Sequence, residues 1–133
     1  MPTEAPISIK HDADILAARR AAREMAARLG FSSTDLALIA TAISEIARNI
    51  LVYAGRGEIT LEEVSEPPRR GIVVIARDSG PGIADIEQAM QDGYSSGHGL
   101  GLGLPGARRL MDDFSIESNV PQGTTIVMKK WAR

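Results

Sequence analysis

The chain reads as an α+β domain in which a single-layer sheet, mixed or antiparallel, is covered on one face by helices. Three observations predict it. An aliphatic stripe, Leu36, Ile39, Ile43, Ile46 and Ile50, steps by three or four residues and marks a long helix with one face against a core. A continuous apolar run, Ile72-Val73-Val74-Ile75-Ala76, suits a central strand. Two further strand-like segments close the chain, giving the order β-α-α-β-β-α-loop-α-β-β.

The elements follow in turn. Ile7 to Lys10 alternates apolar and polar residues, a short half-buried strand. Asp12 to Leu29 is rich in Ala, Leu, Arg and Glu, all strong helix formers, and Gly30 supplies the stop. Ser32 followed by Asp35 resembles a capping box with Asp in place of Glu. It opens the second helix, which runs to about Tyr53, where Gly55 and Gly57 break it. Glu58 to Val64 and Gly71 to Arg77 are strands joined by a polar turn holding Pro67 and Pro68. Asp78 to Gly82 is a turn, Asp85 to Met90 a short helix, and Gly93 to Gly103, with five glycines, a loop. Pro105 fits a helix's first turn, and the helix continues through Met111. Phe114 to Ser118 and Thr124 to Lys130 are closing strands around a Pro121-Gln122-Gly123 turn. No repeat or linker divides the sequence, so residues 1–133 form one expected domain.

Composition narrows the function classes. With 44% hydrophobic and 24% charged residues the chain is of ordinary globular type. Two Phe, two Tyr and one Trp leave a mainly aliphatic core and no aromatic platform for single-stranded nucleic acid. A net charge of -2 is too balanced for a generic polyanion binder. The absence of cysteine removes disulfides, thiol nucleophiles and Cys-based zinc sites. No apolar run is read as membrane-spanning, and the start MPTEAPISIK lacks the basic-then-apolar order of a signal peptide. The expectation is a soluble cytoplasmic domain with neither nucleic acid nor membrane as partner.

Three constellations can carry chemistry. Glu45 and Asn49 stand four residues apart on the second helix, so both project from one side of it. With Glu45 at zero degrees, Asn49 lies at about 40 degrees and the apolar stripe near 140 degrees. The pair therefore borders the buried face. A carboxylate there can accept a proton, and an amide oxygen can ligate a hard cation such as Mg²⁺. Because Glu45 borders the stripe rather than joining it, its truncation is expected to change stability little. Asp78-Ser79-Gly80-Pro81-Gly82 follows the buried strand, where a carboxylate can accept from an exocyclic amine and glycines let a flat ring approach the backbone. In Gly97-His98-Gly99-Leu100-Gly101-Leu102-Gly103, alternate glycines expose N–H groups ahead of a helix N-terminus, which suits a polyphosphate. The Gly-Lys-Ser/Thr ending of a Walker loop is missing, and no strand leads directly into the glycines as a dinucleotide fingerprint requires. His98 could touch phosphate, while His11 is read as a surface residue near a helix start. No Ser-His-Asp arrangement or His-carboxylate metal cluster is recognisable.

Taken in order, Glu45-x-x-x-Asn49, Asp78-x-Gly80-x-Gly82, the Gly97-to-Leu104 loop and Gly123-Thr124 resemble the N, G1, G2 and G3 boxes of GHKL ATPases and kinases. The stretches Asn49 to Gly57 and Gly101 to Asp112 are similar to the switch-type serine/threonine protein kinases of the stressosome branch, with the anti-sigma-factor kinases of the same group as the close alternative. No dimerisation helix pair or transducer domain is read in the sequence, which sets it apart from sensor histidine kinases, gyrases and chaperone relatives. The resemblance implies the Bergerat ATP-binding fold, ATP and Mg²⁺ as cofactors, and protein phosphorylation as activity. It implies Glu45 as general base, Asn49 as Mg²⁺ ligand, and Asp78 as the group binding the adenine amino group. Gly80 and Gly82 would shape that pocket, Gly97, His98, Gly99, Leu100, Gly101, Leu102 and Gly103 would form the ATP lid, and Thr124 would back the adenine site. It further implies STAS-domain scaffold and antagonist proteins as substrates, and a serine phosphatase as the target activated afterwards. The alternative from another class is an ATP-gated binding module in which phosphoryl transfer plays no part.

Overall fold

Helix boundaries follow from local chemistry. In the computed structural model, which describes residues 6–82, 90, 103–120 and 122–132, the first helix, α1, covers Asp12–Arg28. Its first turn is tied by Asp14, whose carboxylate accepts from the N–H groups of Lys10 at 2.8 Å and His11 at 3.0 Å. It ends in a Schellman arrangement: Gly30 N–H donates to the Ala27 carbonyl and Phe31 N–H to that of Ala26. Gly30, at φ +88°, takes the left-handed conformation this requires. Ser32 then caps α2, Ser33–Tyr53, accepting from Asp35 N–H at 3.1 Å, so one half of the expected capping box is present.

One five-stranded sheet lies beneath the helices. β1 (Ile7–Ile9), β2 (Gly57–Glu66), β3 (Arg69–Asp78), β4 (Asp113–Asn119) and β5 (Gly123–Trp131) are ordered β1-β2-β3-β5-β4. Every neighbouring pair is antiparallel, so of the two sheet types expected the antiparallel one is observed. β2 and β3 are longer than the apolar run indicated. Their ladder continues through polar residues to the pair Glu66–Arg69, either side of Pro67-Pro68. Ion pairs between Arg70 and Glu63 and between Arg69 and Glu66 line this exposed end. A third described helix, α3, covers Gly103–Leu110 and so begins two residues before Pro105. Of the expected short helix over Asp85 to Met90, all but Met90 lies outside the described residues.

The core sits between α1, α2 and the inner sheet face. Ile39, Ile43, Ile46 and Ile50 of the predicted stripe are buried, together with Ile59 and Leu61 of β2, Ile72 and Val74 of β3 and Met128 of β5. Leu36, at the start of the stripe, is half-buried and packs on the same cluster. By length and mean hydropathy, 21 residues and 1.5, α2 could cross a bilayer, contrary to the expectation that no apolar run is of that kind. Its apolar residues are instead engaged as the core helix over the sheet. At the far end of the sheet, the buried Lys130 ammonium donates to the Leu110 carbonyl at 2.9 Å, which places a cation on the C-terminus of α3.

Two outcomes test this account. Ile46→Ala removes a fully buried side chain from the centre of the stripe and is expected to cost about 2–5 kcal/mol in urea denaturation with the slope unchanged. The backbone donors of Lys10 and His11 hold the Asp14 carboxyl below its ordinary value of 3.8. Folding therefore favours its ionised form: the stabilisation is complete above pH 3.8 and is lost as the pH falls through the lower folded value. Asp14→Asn should remove that part of the acid dependence of the melting temperature.

Candidate functional site

The site is assembled where β3 ends, β5 begins and α2 and α3 meet. Asp78, the last residue of β3, is flanked in register by Gly57 of β2 and Thr124 of β5. Its Oδ1 accepts from Gly80 N–H at 2.9 Å, closing a tight Asx-type turn. Oδ2 has no hydrogen-bond partner among the described residues, so one carboxylate oxygen is left to accept from a ligand.

Packing explains the glycines around it. A Cβ on Gly80 would stand 2.8 Å from Ala54 Cα at the C-cap of α2, and one on Gly82 would stand 3.0 Å from Ser118 Oγ. Both residues thus let the turn lie directly against the rest of the chain, a use the sequence reading did not assign to them. Gly123 is tighter still: its φ is +127°, and a Cβ there would collide with the Asp78 carbonyl oxygen. Thr124 is buried, and its hydroxyl lies 3.1 Å from Ser118 Oγ across the β4–β5 ladder. Ser118 was not singled out in the sequence. Its only signal there is its place opposite Thr124 across the last turn, which needs the register to be known.

Glu45 is where the structure departs most from expectation. Its side chain is only 7% exposed. Oε2 accepts from Gly103 N–H at 2.7 Å, and Oε1 accepts from Arg48 Nη1 at 3.0 Å. The carboxylate therefore joins α2 to the first residue of α3, a contact 58 positions apart in the chain. Truncation is thus expected to cost stability, mainly because it strips the acceptor from Gly103 N–H. Arg48 was also missed, although its three-residue spacing from Glu45 is a helical pairing distance. Asn49, one helical turn beyond Glu45, is half-buried.

Among the described residues no group of three or more His, Asp or Glu side chains could hold a metal. A cation here would take an Asn49 oxygen together with oxygens of a ligand, an arrangement that suits Mg²⁺ better than transition metals. Of the glycine loop only Gly103 is described. Gly97, His98, Gly99, Leu100, Gly101 and Leu102 lie outside the described residues. The structure thus brings Glu45 and Gly103 together, brings Asp78, Gly80, Gly123 and Thr124 together, and links the two groups through α2.

Residues 10–130 match the histidine kinase-like ATPase domain, and the chain belongs to that family. Within it, the chain is 49% identical over 133 residues to the serine/threonine-protein kinase RsbT of Bacillus subtilis (strain 168), covering all of both chains. It is 31% identical over 118 residues to the anti-sigma F factor of Clostridium novyi (strain NT), covering 85% of this chain and 82% of that one. The fold is shared with the mycobacterial sensor histidine kinase MprB, at a TM-score of 0.56 and 18% identity, covering 97% of each chain.

Two substitutions probe the geometry. Gly123→Ala should displace the Asp78 backbone and cost about 1–3 kcal/mol, with loss of nucleotide affinity in calorimetric titration. Glu45→Ala should lower the unfolding free energy by about 1–3 kcal/mol, since Gly103 N–H and Arg48 lose their shared acceptor.

Proposed function

We propose that residues 1–133 act as one ATP- and Mg²⁺-dependent domain that phosphorylates serine or threonine in STAS-domain proteins of a stressosome, and then activates a serine phosphatase by switching partners. The chain is a serine/threonine protein kinase, on the strength of its full-length likeness to RsbT. The observation that carries the site reading is Glu45, a buried carboxylate held by two donors and four residues before Asn49 on the helix against whose C-cap Asp78's turn is packed.

The roles follow from the chemistry of each group. Asp78 Oδ2 accepts from the adenine amino group, with Gly80 and Gly82 shaping the turn around it and Thr124 behind. Asn49 holds Mg²⁺ through its amide oxygen. Gly97, His98, Gly99, Leu100, Gly101 and Leu102 meet the phosphates through N–H groups offered by alternate glycines ahead of a helix start, whereas Gly103, at the end of that loop, gives its N–H to Glu45. Glu45 takes the proton of the acceptor hydroxyl as its oxygen attacks. ATP supplies the phosphoryl group and Mg²⁺ neutralises charge on its oxygens. The cytoplasm is the compartment in which such a kinase, ATP and such partners meet. Likeness to the anti-sigma F factors favours one second reading, a kinase that binds and restrains a sigma factor.

Incubation of the protein with labelled ATP, Mg²⁺ and candidate STAS proteins tests the proposal. Label should appear on a serine or threonine of the partner; stoichiometric ATP binding without transfer would leave only a nucleotide-gated binder. Glu45→Gln, which keeps the volume and removes the base, should slow transfer by roughly 10²–10⁴-fold with nucleotide affinity retained. Asn49→Asp should weaken Mg·ATP binding, because it adds charge beside phosphate oxygens. Unaltered Mg²⁺ dependence in that variant would remove Asn49 as the ligand.

A further inference from the structure

Arg48 stands in two environments at once. Its Nη1 bonds Glu45 Oε1 at 3.0 Å, yet its side chain is 39% exposed where that of Glu45 is 7% exposed. The same side chain lines a groove of about 670 Å³ between α1 and α2, together with Asp12, Leu16, Arg19, Ser44 and Leu51. The guanidinium therefore reaches from solvent to a buried carboxylate.

A base has to be fixed in rotation as well as in place. The terminal torsion of a glutamate is broad and sets which lone pairs face the reacting hydroxyl. One donor on each oxygen removes that freedom. Gly103 N–H holds Oε2, but it belongs to another helix. Arg48 is on α2 itself, one turn from Glu45, so its hold on Oε1 does not depend on where α3 lies. An exposed ion pair at this spacing would add little stability. With one partner buried and the bond charge-assisted, its effect is on orientation.

We propose that Arg48 is a positioning residue for Glu45: its guanidinium fixes Oε1, and with it the carboxylate plane, so that the remaining lone pairs face the acceptor hydroxyl. This rests on the reading of Glu45 as general base. Arg48 touches neither substrate nor nucleotide in this role, and its loss lowers the rate of transfer without weakening binding.

The test uses the full chain, Mg·ATP and the STAS partner that takes up label. Arg48→Met keeps the apolar stem over the groove and removes the charge. Its kcat should fall by about 10- to 100-fold, as expected for a misplaced catalytic group, with KM for ATP and for the partner unchanged. Arg48→Lys should regain part of the rate, since an ammonium bonds the oxygen without the planar fork. Because the groove is open to solvent, millimolar guanidinium should accelerate Arg48→Ala, and urea at the same concentration should not. A kcat for Arg48→Met within about twofold of the parent, a loss confined to KM, or equal responses to guanidinium and urea would overturn the proposal. Glu45→Gln, run in parallel, separates the two failures. If it transfers at the parental rate, the base assignment falls and the proposal with it. If Glu45→Gln is inactive and Arg48→Met is unaffected, the positioning role alone is wrong. Should Arg48→Met fold poorly, as read from its thermal midpoint, Arg48→Lys and the guanidinium comparison decide the matter.

Discussion

The close approach of three chain segments around Asp78 sets the position of everything else in the site. Gly57 on one side and Gly123 on the other leave no room for a Cβ against the end of β3, and Gly80 brings the following turn onto Ala54. These contacts are backbone against backbone or backbone against the helix cap, so they yield little to repacking. They fix α2 relative to the strand ends. Along that helix, Asn49 lies about 7.5 Å before Ala54 and Glu45 about 13.5 Å before it, at about 1.5 Å per residue. A ligand that reaches both Asp78 and Glu45 must therefore extend along the axis of α2.

Much of this was legible in residue order. The stripe from Leu36 to Ile50 has a single period, and a helix with one apolar face has only a sheet or another helix to bury it on. Glu45, Asn49, Asp78, Gly80 and Thr124 were singled out as candidates from spacing and resemblance, and of these Asp78, Gly80 and Thr124 lie together at the end of β3. The strand ends were not, because Ser65, Glu66, Arg69 and Arg70 carry no apolar alternation. Their pairing is dictated by the two-residue Pro67-Pro68 connection and by cross-strand ion pairs. The burial of Glu45 was missed for a related reason. A helical wheel gives angles on one helix, whereas the residue is covered by Gly103, 58 positions away.

The helices and the sheet contribute differently to the chemistry. β3 and β5 are central strands of an antiparallel ladder, and they supply the rigid side of the site, Asp78 and Thr124. α2 supplies Glu45 and Asn49 from the edge of its buried face, where a polar group can be desolvated and still reach a ligand. Membership of the histidine kinase-like ATPase family is consistent with this division. In the proposed reading, the strands would hold one end of the nucleotide, and the helix would present Glu45 and Asn49 at the other.

Trp131, the chain's sole tryptophan, sits in a very different place. It pairs with Gly71, seven residues from Asp78 along β3, or about 23 Å at the usual strand rise. Its ring lies under the Arg69 guanidinium at 4.1 Å and near the Lys129 ammonium at 5.4 Å, and its side chain is largely buried. The sole tryptophan is thus an optical probe at the hairpin end of the sheet, with two cations over its ring. Because the ring packs against the central ladder and lies far from Asp78, its fluorescence is suited to following unfolding of the sheet.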